Sequence, residues 1–498
     1  MRFSSRALGA ALAVALAMTA SAAHAEKLSL ELQVRGLVDT IFQSEFKACK
    51  AQNSRLMKLI ADPQFPQQTP RTQGLAYIAA ITCAPNGSPQ AVTAARDLVK
   101  LPVDPRLAYF GRKALMSDAQ KRDATDDYLT QLYAVIDADP SLIADWKERY
   151  LYWILARVKD DPAKEIALLD RFHTVAWTDH DAQESDRNAW AVRRARRFVE
   201  GGETSKARAA LAGVTHLGDL LTVAQDRRFE PLWPDLEADG RFAWVQIAEA
   251  ELATKQARMK AAPNTLQPVR EVIDSLRTLD RHDEAAALGE AYAARLRQGD
   301  TFTDAEDQRS WMLNSLAYVY FDQGRYDEAD KMVLEAVGKD RVSQTINRAG
   351  LLNSAGRPAE ALKALESVEA KQTSKYGLMW VESGRVCAHA QLGDKVAAET
   401  AVAALRPRWK DNANALGQAL LCLDAQDEAA ALYVKRLEDP TERATALSAF
   451  RTGLPPPKLP PYGATLLARD EAVQARPEVV AALNKWGRAL TVPLGGDL

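Results

Sequence analysis

The chain has 498 residues, and its 64 Lys and Arg nearly balance its 66 Asp and Glu for a formal charge of −2. That balance excludes nucleic acid as a partner, because a phosphate backbone selects a strongly basic face. Beyond the first residues no stretch approaches the roughly 20 apolar residues that span a bilayer as a helix.

Residues 1–25 read as a secretory leader. Arg2 and Arg6 give a positive start, Ala7 to Met18 is an apolar run of roughly 12 residues, and Ala23-His24-Ala25 offers small residues at a cleavage site. The mature chain is then expected to begin at Glu26 and to reside in the periplasm of a bacterial cell, with no transmembrane segment. No cysteine follows the cleavage site, which argues against a lipid anchor. The charged start has no Arg-Arg pair, which favours export as an unfolded chain.

From 26 to 228 the pattern is helical but irregular. Gly74 to Lys100 reads as a helical hairpin about Pro85 to Ser88, Tyr150 to Phe172 as another broken at Asp160-Asp161-Pro162, and Ala189 to Ala212 as a third about Gly201-Gly202. Arg193, Arg194, Arg196 and Arg197 form the one dense basic patch and read as the solvated side of a helix, with an anionic contact as the alternative. Residues 229–265 differ from their surroundings. Pro231 and Pro234 interrupt any helix there, so this stretch reads as a junction between two halves.

From 266 to 450 a short turn recurs. It appears as Asp280 to Ala285, Gly324-Arg325-Tyr326-Asp327-Glu328-Ala329, Gly356 to Ala361, Gly393 to Ala398 and, less completely, Ala425 to Ala429. The alanines that anchor these turns recur around a period of about 34 residues. Each copy has helical periodicity on both sides: Leu313, Leu316, Ala317 and Tyr320 precede the clearest turn, and Ala329, Val333 and Ala336 follow it. Small residues let two helices approach closely. Glycine supplies the left-handed residue that ends the first helix, and Asp-Glu suits the positive end of the second.

These residues resemble the tetratricopeptide repeat family. Leu316-Ala317, Tyr320, Gly324, Tyr326, Ala329 and Ala336 fall on its consensus places for large and small packing residues, and Ala349, Ala361, Ala398, Gly417 and Ala429 continue it. The resemblance implies an all-α, right-handed superhelical solenoid of antiparallel helical hairpins. In that family the first helix of each hairpin lines a concave groove that holds partners. Carried over residue by residue, the face consists of Trp311, Asn314, Tyr318, Asp322, Asn353, Trp380, Ser383, Gln391, Asn414 and Gln418. The Lys and Asn set that clamps a peptide carboxylate in some members is not reproduced. Amides, hydroxyls and aromatics suit an extended segment instead.

Residues 451–465 include Pro455-Pro456-Pro457-Lys458-Leu459-Pro460-Pro461, a stiff extended linker. Residues 466–498 hold an amphipathic helix around Glu471 to Leu490 that would cap the array, or else a tail that docks a partner.

Four cysteines allow three connectivities. Cys49 with Cys83 and Cys387 with Cys422 each stand about one hairpin apart, so stacked neighbours favour these local bridges. Four buried thiols are the alternative, a poorer fit to an exported protein.

No nucleophile elbow, phosphate loop or His-Glu-x-x-His helix occurs. His173 and His180, with Trp177 between them, read as an ordinary helix end, and no cofactor or metal is expected. The sequence therefore points to a non-enzymatic scaffold or adaptor binding a protein or peptide in a cell-envelope process. Ten tryptophans keep an alternative open, an envelope glycan-binding or glycan-processing protein. Trp146, Trp153, Trp190, Trp244 and Trp380 stand in apolar helical patterns and read as packing residues. A self-associating structural array is a third possibility.

Overall fold

The computed structural model describes residues 30–85, 87–177, 180–338 and 341–496, with the side chains at 148 and 180–186 left aside. The expected leader lies outside the described residues. Helices make up nearly all of the secondary structure, which falls into two compact units, one ending at Arg187 and one beginning at Asn188. Among the described residues no helix is long and apolar enough to cross a membrane.

The first unit contains α1 (Leu30–Gln43), α2 (Cys49–Ile60), α3 (Pro70–Cys83), α4 (Pro89–Leu98), α5 (Pro105–Lys121), α6 (Thr125–Ala138), α7 (Glu148–Val158) and α8 (Pro162–Thr174). α3 packs on α4, α5 on α6 and α7 on α8. Four starts share one local code: Thr69, Ser88, Asp104 and Asp161 each precede a proline and accept a hydrogen bond from a first-turn amide. The side-chain oxygen satisfies a donor the helix cannot, and proline occupies a position whose N–H would be unpaired anyway. A disulfide joins Cys49, at the start of α2, to Cys83, at the end of α3.

α9 (His180–Glu200) ends in the second unit, which continues with α10 (Thr204–Leu211), α11 (Leu217–Gln225), α12 (Trp233–Ala238) and α13 (Trp244–Ala261). A 3-10 turn at Arg227–Leu232 leads into α12 and contains Pro231. Then follow α14 (Gln267–Thr278), α15 (His282–Arg297), α16 (Ala305–Asp322), α17 (Tyr326–Ala336), α18 (Arg341–Ser354), α19 (Pro358–Leu365), α20 (Lys375–Leu392), α21 (Lys395–Leu405), α22 (Ala413–Cys422), α23 (Gln426–Glu438) and α24 (Arg443–Ser448). From α14 to α23 consecutive helices pair as antiparallel hairpins, and the first helices of neighbouring hairpins also touch. The fold is an all-α solenoid of tetratricopeptide-like hairpins.

Five hairpin turns carry a left-handed residue: Asp280, Gly324, Gly356, Gly393 and Asp424, with φ of 59, 74, 76, 78 and 57°. The first four open the turns aligned from sequence. In the fifth the left-handed residue stands one place before Ala425, because aspartate also tolerates this conformation and does not advertise it as glycine does.

Arginine follows the left-handed residue three times. Arg281, Arg325 and Arg357 sit at the N-caps of α15, α17 and α19 and bind Glu284, Glu328 and Glu360 three residues on at 2.6–2.8 Å. Each also reaches an acid of the preceding hairpin or helix, at 3.4 Å to Glu249, 3.4 Å to Glu290 and 3.2 Å to Asp327. These glutamates are held below their ordinary carboxylate range mainly by the arginine hydrogen bond. Such exposed pairs are worth little singly, but they repeat along the stack.

Close approach depends on small side chains. Ala285, Gly289 and Ala293 form a buried stripe on α15. A Cβ on Gly289 would stand 3.2 Å from Cβ and Cγ of Leu316 in α16.

After α24 come β1 (Arg451–Thr452), α25 (Pro461–Gln474), α26 (Pro477–Trp486) and β2 (Leu490–Thr491), and β1 pairs in parallel with β2. The single helix expected at 471–490 is two. α25 ends at Gln474 and Pro477 opens α26, because proline disfavours helical geometry in the residue before it.

Two alanine substitutions separate backbone strain from packing. Added methyls at Gly350 and Gly356 meet no atom within 4 Å, but Gly350 lies inside α18 while Gly356 has φ of +76°. In urea denaturation, Gly356→Ala is expected to lower stability by about 1–2 kcal/mol, and Gly350→Ala to raise it by about 0.5–1 kcal/mol.

Candidate partner-binding face

The first helices α14, α16, α18, α20 and α22 stack in succession, and all ten residues expected to grip a partner lie on them. The structure divides these residues into two groups. Asn314, Asp322, Asn353 and Ser383 are buried, at 7, 6, 2 and 0% exposure. As partner-gripping residues these four are corrected: their side chains lie inside the stack.

Most of them lace one inner helix to the next. Asn347 Nδ2 in α18 donates to Asn314 Oδ1 in α16 at 3.2 Å. Asn353 Nδ2 in α18 donates to the carbonyl of Gly384 in α20 at 2.9 Å, and Gln391 Nε2 donates to Asn353 Oδ1 at 3.4 Å. Arg277 of α14 pairs with Asp322 of α16 and lies over the Tyr318 ring at 5.3 Å. Between α20 and α22 the link is covalent, the Cys387–Cys422 disulfide. A buried amide left unpaired costs about 1–3 kcal/mol, so neighbouring first helices carry complementary polar groups. Family consensus positions do not reveal this, since a residue facing the next inner helix and one facing the groove share the same surface of the helix.

Trp311, Tyr318, Trp380, Gln391 and Gln418 are half-buried and Asn414 is exposed. Trp380 packs against the core formed by Met379, Cys387 and Leu416. Asn414 and Gln418 border a cleft closed on its far side by α25.

The C-terminal segment meets α11 and three of the inner helices at their C-terminal ends, where the last carbonyls have no partner within the helix. Arg488 donates from its backbone N to the Gln225 carbonyl at 3.0 Å and from Nε to that of Ala224 at 2.6 Å, at the end of α11. The Gly495 amide donates to Thr278 of α14 at 2.8 Å, and the Lys458 amide to Asp322 of α16 at 3.0 Å. Arg469 Nη1 donates to Leu421 and Cys422 of α22 at 2.8 and 3.0 Å. The proline-rich stretch thus crosses the end of α16. Cationic side chains also suit the negative end of a helix dipole.

The tightest part of this contact joins α11 to α24. Gln225, with no exposed surface, donates from Nε2 to the Leu447 carbonyl and accepts at Oε1 from Arg451 Nε at 3.0 Å. Burial pushes Arg451 down to about 10. Asp226, 1% exposed, accepts from Arg228 Nε at 2.9 Å and lies 3.9 Å from Arg196 Nε. Arg196, from the basic patch of α9, is therefore half-buried in an ion network, where loss of hydration pushes it down to about 10. Arg443 lies over the Trp486 ring at 3.3 Å and Arg488 over Trp233 at 3.8 Å.

His173 is exposed near the end of α8, and Trp177 is buried with Nε1 donating to the Phe172 carbonyl at 3.2 Å; the side chain of His180 lies outside the described residues. Among the described residues no cluster of three or more His, Cys, Asp or Glu could hold a metal ion.

Gly487 has no room for a side chain, since an added Cβ would stand 2.7 Å from the Gln225 carbonyl oxygen. Gly487→Ala is expected to cost about 1–3 kcal/mol by overpacking. Hydrogen exchange checks this: amides of α11 and of residues 447–452 should lose protection first, and unchanged protection there would contradict the contact.

No family model matches this chain, and no curated protein matches it. Among solved structures it is similar to the yeast protein described as Tom70, at 12% identity and a TM-score of 0.31 over 92% of this chain and 100% of that one. It is also similar to a chain of a structure described as Naa15/Naa10 bound to HypK-THB, at 12% identity and a TM-score of 0.24 over 91% of this chain and 74% of that one. Likenesses this faint add nothing to what the hairpins themselves establish.

Proposed function

We propose that this protein is an exported, non-enzymatic scaffold. In this reading the leader is removed after Ala25, the mature chain works in the periplasm, and the second unit holds a protein or peptide partner along its inner helices in a cell-envelope process. The observation that carries it is the split on the inner face. Asn314, Asn353 and Asp322 tie the helices into a firm surface, while Trp311, Tyr318, Asn414 and Gln418 keep area that a partner can touch. Aromatic rings on a pre-ordered surface give contact area at low entropic cost. The paired cysteines suit an oxidising compartment.

Capture from envelope extracts with the full mature chain, beside Trp311→Ser and Tyr318→Ser, tests the face. A partner held by the parent chain and lost by both folded variants supports the reading. Equal capture of the same protein by all three overturns the groove assignment. Peptidoglycan fragments that bind and are lost in the same variants transfer the face to the glycan alternative.

Cell fractionation tests the compartment. The mature chain should appear in the periplasmic fraction with an N-terminus at Glu26 and no reactive thiol. Cytoplasmic recovery with four alkylatable cysteines would reject export.

A further inference from the structure

A cleft of about 280 Å³ lies between α22, α23 and α25, close to the lower end of the roughly 300–1,000 Å³ usual for small-molecule sites. Two opposite charges line it without pairing with each other. Arg436, on α23, is 4% exposed. Its Nη2 donates to Asn414 Oδ1 at 2.7 Å, while its Nε has no hydrogen-bond partner and the one acid near it, Glu442, stands 3.8 Å away. Asp470, on α25, has only neutral partners: Tyr433 OH and Gln474 Nε2 donate to its two carboxyl oxygens, each at 2.8 Å.

Removing a charge from water costs several kcal/mol unless a counter-charge and hydrogen bonds replace the lost hydration. Both groups show that cost: burial lowers Arg436 and raises Asp470 from their ordinary values. The rest of the wall includes Leu421, Leu432, Leu466 and Leu467. A ligand that fits all three features carries a carboxylate, an ammonium group and a short aliphatic chain.

We propose that this cleft binds a free aliphatic amino acid. Its carboxylate meets Arg436 and the Asn414 amide, its ammonium meets Asp470, and its side chain lies against the leucines. Ionised hydrogen bonds of this kind are roughly twice as strong as neutral ones. The site is built from both the hairpin array and the C-terminal segment, so an occupant joins the two. It shares Asn414 and Gln418 with the inner face but not Trp311 and Tyr318 of α16, whose substitution tests the partner reading, so the two readings can fail separately.

The test is calorimetric titration of the full mature chain with L-leucine, with isovalerate (the carboxylate without the amine) and isoamylamine (the amine without the carboxylate) as comparison probes. Saturable one-to-one binding of leucine is expected, and each comparison probe should bind roughly tenfold more weakly or worse, a loss of about 1.4 kcal/mol. Asp470→Asn keeps the shape and removes the charge, and Leu467→Arg obstructs the mouth at a leucine that is 43% exposed. Both should abolish or greatly weaken binding while leaving the circular dichroism spectrum unchanged. Absence of saturable heat with leucine, valine, isoleucine and methionine at millimolar concentration overturns the proposal. So does equal affinity for leucine and isovalerate, or binding that neither substitution alters.

Discussion

An α-helix ends in carbonyls that have no partner within it. In a stack of parallel first helices those ends fall on one side, so the shortfall repeats with every hairpin. In the second unit a single C-terminal segment answers it at three of these ends, through Gly495 at α14, Lys458 at α16 and Arg469 at α22, and also at the end of α11 through Arg488. The position of α25 and α26 follows from that constraint, and with it the cleft between α25 and the array. An isolated capping helix covering only the last hairpin would satisfy one end. A long segment crossing several helices serves many of them.

The hairpins were readable because their signals are local. Gly324, Gly356 and Gly393 mark turns by a conformation few other residues adopt, and Ala285, Ala329 and Ala361 mark contacts that larger residues would prevent. Asp424 was harder to see, since aspartate enters left-handed turns for reasons that a sequence does not separate from its charge. The cysteine pairs were legible for the same local reason, each pair belonging to adjacent hairpins.

The inner face was legible as a face but not as a set of roles. Asn353 looks like a groove amide, and its bond to the Gly384 carbonyl depends on the rotation between two hairpins, which no residue type encodes. The C-terminal contacts were hidden more deeply. Arg488 donates to carbonyls at 224 and 225, and any other residue would offer the same acceptor. Arg436 and Asp470 likewise line one cleft only because α25 packs against α23.

The hydrogen bond between Gln225 and Leu447 spans 222 residues of chain, which bears on the order of folding. Hairpins form by local contacts, so they can assemble as the chain emerges. Closing a loop of that length costs entropy that a local hairpin does not, although the cost grows only slowly with length. The contact at α11 therefore waits until Leu447 has been made, by which point the helices from α14 to α23 have left the ribosome's catalytic centre. A chain stopped short of Gly487 would keep its hairpins but leave the carbonyls of α11 to water. Residues 447–488 thus reach back to the beginning of the unit only after the α22–α23 hairpin has been made.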